Sequence, residues 1–482
     1  MTMPMRHLIV LLPGTMGSVL QKDGKDVWAL SGQALGSFLL SLGGSLQTLR
    51  MHGDDWQLDD LGDGIRGTRI IEDLYSVPGI AEHAGYSVIL RRLKEQFDLQ
   101  AGEVQAPQDD INFYPFPYDW RRDCRATARM LKAFVDRQLP RWREASGAAD
   151  AQVILIGHSL GGLVSRYYLE AMEGWRDCRA VISVGSPHRG AIGALDVLSN
   201  GFKNLFLDLS EVVRSFPSAY QILPTYAAVN VDGHFVRPAE TDAIPNLDRE
   251  RARQAREEFL DHARVSAEAN QSLPGYQQRL IPWIGTRHDT LQSAVVQGGK
   301  LVASYDPPEG LDPTLANGDG TVPRVSAVPA DLDGQGLERF VVERHAWLTN
   351  NEMALEPLLD TLTQLAAHGS GVLYGAPEFP QPAVNVKLEP LHLAGEPVHI
   401  GLRLMNASDE AQSLNVQIDP VGQAGSRVVQ SAQVSTQQST DVALEKLAPG
   451  LYQLTVAAPV AGPLAPATVH GVFEIADPAA HQ

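Results

Sequence analysis

From residue 1 to about 368, short apolar runs alternate with stretches whose apolar positions recur at helical spacing. The runs Leu8–Leu12, Val153–Ile156, Ala180–Val184, Ile281–Gly285 and Arg339–Val342 are predicted as strands. Most are apolar throughout rather than at every second position, as strands buried on both faces of a parallel sheet are. Helices are predicted over Tyr86–Phe97, Thr127–Gln138, Leu160–Met172 and Asn351–Ala367. Strand and helix in alternation imply an α/β architecture, a parallel sheet with helices on its faces.

The texture changes after Gly369. Residues 375–382 carry three prolines and read as part of a linker over 369–383. Beyond it apolar residues fall at every second position: Val384, Val386, Leu388; Val398, Ile400, Leu402, Leu404; Leu414, Val416, Ile418. With the runs Leu451–Val456 and Val469–Ile475, this predicts an immunoglobulin-like β-sandwich over 384–482. A chain of 482 residues exceeds what one hydrophobic core usually serves, which agrees with two domains.

One apolar stripe breaks the alternation. Phe202, Leu205, Phe206, Leu209, Val212, Val213 and Phe216 recur at helical spacing, and Pro217 follows. They fall within an insertion expected around 195–280, between the strand pair near residue 180 and the strand at 281. Two readings stand: a cap helix packed permanently on the fold, or a lid that opens an acyl channel lined by Phe202, Phe206 and Phe216. The interrupted apolar run Leu35–Leu46 could join it, although glycine and serine within that run weaken a helix there.

Charge and composition narrow the partners. A formal net charge of -18 argues against nucleic acid, whose phosphates need a basic face. It also weakens long-range attraction to anionic lipid. Cys124 and Cys178 are the two cysteines and are expected as buried thiols. Neither sits at metal-ligand spacing from histidines. Leu8–Leu12 is too short for a signal-peptide core, Pro13-Gly14 ends it at once, and no window approaches a membrane span of about 20 apolar residues. The expectation is a soluble, cytoplasmic protein.

The chemistry concentrates at Gly157-His158-Ser159-Leu160-Gly161, where a buried strand runs into G-x-S-x-G and a helix follows. That context makes Ser159 a candidate nucleophile, lifted off the sheet edge on a strained turn. The amide of Leu160 would face the developing oxyanion. A serine hydroxyl needs a base, and the base an orienting acid, in the chain order Ser, acid, His. Asp319, in Gly318-Asp319-Gly320-Thr321-Val322, is preferred over Asp312, Asp331 and Asp333 as the acid, because glycines on both sides make a tight loop. His345 follows the last predicted strand of the first domain and is preferred to His368 as the base. His158 is expected to line the pocket, since adjacent residues on such a turn face apart. A second oxyanion amide is expected from Pro13-Gly14-Thr15-Met16-Gly17, with Thr15 chosen and Gly14 or Met16 open.

At these residues the chain resembles the lecithin:cholesterol acyltransferase family, which includes lysosomal phospholipase A2 and bacterial lipase-like relatives. The matching pieces are Pro13-Gly14-x-Met16-Gly17, Pro117-Tyr118-Asp119-Trp120-Arg121, Ile156-Gly157-His158-Ser159, Gly185-Ser186-Pro187-His188-Arg189-Gly190, Asp319-Gly320-Thr321-Val322 and His345. The resemblance spans about residues 5 to 365 and none of the β-domain. It implies an α/β-hydrolase fold, the triad Ser159, Asp319 and His345, and an oxyanion hole of Thr15 and Leu160. It further implies fatty acyl esters as substrate and no cofactor. Hydrolysis is expected, with transfer to an alcohol or a non-lipid esterase or thioesterase activity as alternatives. Lipid or membrane contact is expected through the cap and through the β-domain, which carries no catalytic cluster and reads as a docking or stabilising module.

Overall fold

The computed structural model describes the chain apart from residues 1, 30–45, 73–74, 78–80, 84, 205–206, 312–314, 333–337, 368–381, 406, 408–409, 423–424, 445–446, 461–464 and 478–482. The expected linker therefore lies almost wholly outside the described residues, as do most of the run Leu35–Leu46, Asp312, Asp333, His368 and Phe206.

Six strands form the central sheet: β1 (Leu8–Leu12), β2 (Phe113–Pro115), β3 (Val153–His158), β4 (Cys178–Val184), β5 (Leu280–Gly285) and β6 (Arg339–Val341). They run in the order β6-β5-β4-β3-β1-β2, and every pairing is parallel. The strands are apolar throughout because both faces are covered. Leu8, Val10, Leu12, Val153 and Leu155 point to one core; Ile9, Leu11, Ile154 and Ile156 point to the other. The first core is closed by α2 (Cys124–Ser146) and α3 (Leu160–Ala171), the second by α1 (Ser87–Gln96) and α4 (Glu352–Ala367). Asp123 caps α2 by accepting from the Arg125 amide at 2.8 Å, and Gly147 ends it in the left-handed region. Strand β2 was not expected: it has three residues, and proline closes it.

The segment between β4 and β5 differs from the expected cap helix. Lys203–Asn204 pairs antiparallel with Leu207–Asp208, a six-residue helix follows at Ser210–Ser215, and Pro217 starts a further turn. Phe202, Leu209, Val212 and Phe216 still share one core. The ring of Phe216 meets Trp120 edge-on at 5.7 Å. Of the described residues of this stripe, these four are buried and Val213 is partly buried.

Beyond residue 381 the secondary structure of the described residues is all β. A three-stranded sheet, order β7 (Ala383–Leu388), β9 (Val398–Met405), β12 (Thr440–Leu444), accompanies a five-stranded one. The second sheet has the order β8 (Leu391–Leu393), β14 (Val469–Ala476), β13 (Gly450–Ala457), β10 (Gln412–Val421), β11 (Val428–Val434). The alternating apolar residues of both sheets meet in one core that includes Val384, Ile400, Val416, Leu454 and Phe473. Both cysteines are free and buried.

Candidate active site

Ser159 sits between β3 and α3 with φ 51 and ψ -119, a left-handed conformation that a residue with a Cβ adopts only under constraint. The constraint comes from both sides: the Ser159 amide donates to Val184 O at 2.8 Å, and its carbonyl accepts from the Gly162 amide. Gly161 lets the helix start close against the loop after β1, since a Cβ there would lie 2.5 Å from Leu12 O. Leu160 opens α3, so its amide belongs to the first turn, which has no intrahelical acceptor.

The loop after β1 is a turn closed by the Gly17 amide donating to Gly14 O at 3.0 Å, with Met16 at φ 64. It lies against the elbow: a Cβ on Gly14 would come within 3.0 Å of Ser159 Cβ. The Gly14 amide donates to the Tyr86 hydroxyl at 2.7 Å, so it is committed elsewhere. Thr15 is half-buried at the turn's crest and Met16 is buried. Tyr118 fastens the loop from below, its hydroxyl donating to Pro13 O at 2.7 Å.

Asp319 and His345 meet on the other side. His345 Nδ1 lies 2.7 Å from Asp319 Oδ2, and the His345 amide donates to Asp319 O at 2.9 Å. Asp319 Oδ1 accepts from the amides of Thr321 and Val322 at 2.9 and 2.7 Å. This carboxyl is almost fully buried, with Oδ1 taken up by the two amides and Oδ2 facing His345 Nδ1. Nδ1 therefore carries the imidazole proton and Nε2 is left as the basic nitrogen. The rival Asp331 is held by Arg166.

The His158 ring is buried, and both of its nitrogens have partners. Its Nε2 lies 3.2 Å from His345 O, an acceptor only, so Nε2 carries the proton. Its Nδ1 must then accept from the Tyr86 hydroxyl, 2.9 Å away, whose pKa burial pushes upward and keeps protonated. A chain results: Gly14 amide to Tyr86, Tyr86 to His158, His158 to the His345 carbonyl. It ties the loop after β1 to the loop of the candidate base. The rings of His158 and His345 lie 4.9 Å apart. Sequence reasoning missed Tyr86, which is 72 positions from His158 and carried no motif.

The remaining expected residues fall as follows. Phe202 and Phe216 are core residues, and Phe206 lies outside the described residues. His188 is buried with Nε2 2.9 Å from Ser183 Oγ, and burial holds its pKa far below the usual histidine range. Asp119 and Arg121 form a buried pair, Nη2 to Oδ2 at 2.5 Å, with Asp63 and Leu49 O completing the guanidinium's partners. Among the described residues no group of three or more His, Cys, Asp or Glu could hold a metal ion.

A search among curated proteins gives no match. Among solved structures, the propeptide form of Bacillus licheniformis lipase BlEst2 is similar over 97% of this chain and 93% of that one, at 11% identity and TM-score 0.30. Its mature form is similar over 74% and 94%, at 13% identity and TM-score 0.31. A CARDB domain of the PF1109 protein from Pyrococcus furiosus covers 22% of this chain and 95% of its own, at 10% identity and TM-score 0.15. TM-scores this low add nothing to the chain's own geometry. The family model of lecithin:cholesterol acyltransferase matches residues 108–273. That stretch holds the Tyr118–Arg121 turn and the Ser159 elbow, while Thr15, Asp319 and His345 lie outside it. Over residues 108–273 the chain is thus similar to the lecithin:cholesterol acyltransferase family.

Proposed function

We propose that the chain is a two-domain serine hydrolase, an α/β-hydrolase with an inserted cap followed by a β-sandwich, and that it cleaves lipid esters through an acyl-enzyme on Ser159. The observation that carries this reading is the junction of three parts. A strained serine follows one strand of the sheet, an Asp319–His345 pair at 2.7 Å packs against Gly185 at the end of the neighbouring strand, and the glycine loop after β1 packs on the serine. In the first step His345 Nε2 takes the Ser159 proton as Oγ bonds to the ester carbonyl. Asp319 stabilises the imidazolium, and the amides of Leu160 and Thr15 hold the oxyanion. The proton passes to the departing alcohol; water, deprotonated by the same nitrogen, then releases the fatty acid. No cofactor takes part. The segment 195–280 is the surface proposed to meet lipid. Because Phe202 and Phe216 are packed inward, lipid contact through them requires that segment to open.

A second reading, acyl transfer to an alcohol, is favoured by the family match at residues 108–273. Both routes share the acyl-enzyme and divide at its breakdown. A transferase must hold its acceptor against about 55 M water, which needs a second subsite beside Ser159. Incubation with a phospholipid labelled in its acyl chain, with long-chain alcohol, sterol or lysolipid added, separates them. Free labelled acid as the main product is expected. Labelled ester exceeding free acid at modest acceptor concentration would replace hydrolysis by transfer, and no turnover of any lipid would remove both.

A further inference from the structure

We infer that the C-terminal β-region positions the candidate base, with His470 as the positioning residue, rather than serving only to dock or stabilise the enzyme. The inference rests on the reading of His345 as base. Residues on both sides of His345 touch strands of the β-region. Two positions before it, Glu343 is fully buried, and its Oε1 accepts from the Arg344 amide at 2.7 Å. Its Oε2 accepts from Asn351 Nδ2 and lies 3.3 Å from His470 Nδ1 on β14. The same Nδ1 lies 3.3 Å from Asn351 Nδ2, so His470, Glu343 and Asn351 form one cluster, in which the ring donates to Glu343 when Nδ1 carries the proton. Two positions after it, Trp347 lies flat on the His470 ring, centroids 4.7 Å apart and planes inclined by 26°. Ala346 and Trp347 share an apolar cluster with Leu451 and Val472 of the β-region.

His345 itself sits in the 3-10 turn His345–Trp347. Its backbone is held inside the first domain by Asp319 and His158. The turn's outer side rests on β13 and β14 through Ala346 and Trp347. One imidazole, His470, grips the loop by an acceptor before the base and a ring after it. Release of that grip frees the turn to rotate about His345, and a displacement of about 1 Å at a catalytic group can cost on the order of a hundredfold in rate.

The experiment compares His470→Ala, His470→Asn and His470→Phe in the full chain, measuring kcat, KM and the rate of fluorophosphonate labelling with a short soluble ester. Asn retains a donor toward Glu343, and Phe retains the stacked ring. Val416→Ala, in the β-region core away from the junction, is the control for lost stability alone. His470→Ala is expected to lower kcat and labelling together by roughly tenfold or more with KM within twofold. Asn and Phe should each recover part of the loss, while Val416→Ala should lower Tm and leave kcat unchanged. Full kcat in folded His470→Ala overturns the proposal. So does a loss that Val416→Ala reproduces at equal Tm. If His470→Ala does not fold, Asn and Phe decide: unaltered kcat in both overturns it, and reduced kcat at unchanged KM supports it. Turnover surviving in His345→Ala would instead remove the reading of the base, whatever the His470 variants do.

Discussion

At the scale of single residues, the candidate site is braced by side chains outside the proposed triad. Tyr86 accepts from Gly14 and donates to His158, so Tyr86→Phe leaves a buried amide and a buried ring nitrogen unpaired at once. That should cost about 1–3 kcal/mol of stability, read by urea unfolding, and lower kcat with little change in KM. An unchanged unfolding midpoint would mean that both groups find other partners. His288 offers a pH test. It is buried beside Asp319, its backbone pairing with Gly318, and burial lowers its pKa to about 4. The folded form therefore prefers the neutral ring, while the unfolded chain takes up a proton near pH 6.5. The stability that this group contributes is present above pH 6.5 and is lost as pH falls from there toward 4. His7, lowered to about 4 mainly by burial, adds a loss of the same sign. Chemical denaturation between pH 7 and 4 should show the fall, and His288→Gln should flatten part of it.

At the scale of elements, continuous apolar runs located β1, β3, β4 and β5 because strands covered on both faces need no polar side. The stripe from Phe202 to Phe216 misled for a related reason. Helical spacing records which residues face inward, and Phe202, Leu209, Val212 and Phe216 do so although the helix there has only six residues. Tyr118-Asp119-Trp120-Arg121 was legible as a motif but not as a device. Tyr118 and Trp120 bond to Pro13 and Ser18, and the buried Arg121 joins this turn to Asp63 and Leu49. Arg121→Ala leaves the Asp119 carboxylate without its cation and should destabilise the enzyme by about 3–5 kcal/mol. Thermal unfolding checks this; a change below about 1 kcal/mol would place the turn's hold in its backbone alone.

At the scale of the whole molecule, the residues of the candidate site were legible where chemistry imposes a local pattern. Ser159 has its glycines and Asp319 its tight loop, and His345 is the histidine next to the last strand of the sheet. What could not be read were contacts made only by folding. Glu343 and His470 are 127 positions apart, in stretches with no common motif, so the β-region looked like a separate module. Its contact with the loop of His345 runs through Glu343, Ala346 and Trp347. The measurement that tests the central claim about Ser159 most directly is intact-mass analysis with peptide mapping after treatment with a fluorophosphonate. One adduct is predicted, on Ser159, absent in Ser159→Ala and formed at least about a thousandfold more slowly in His345→Ala. An adduct on another residue, or full ester turnover by Ser159→Ala, would contradict the account.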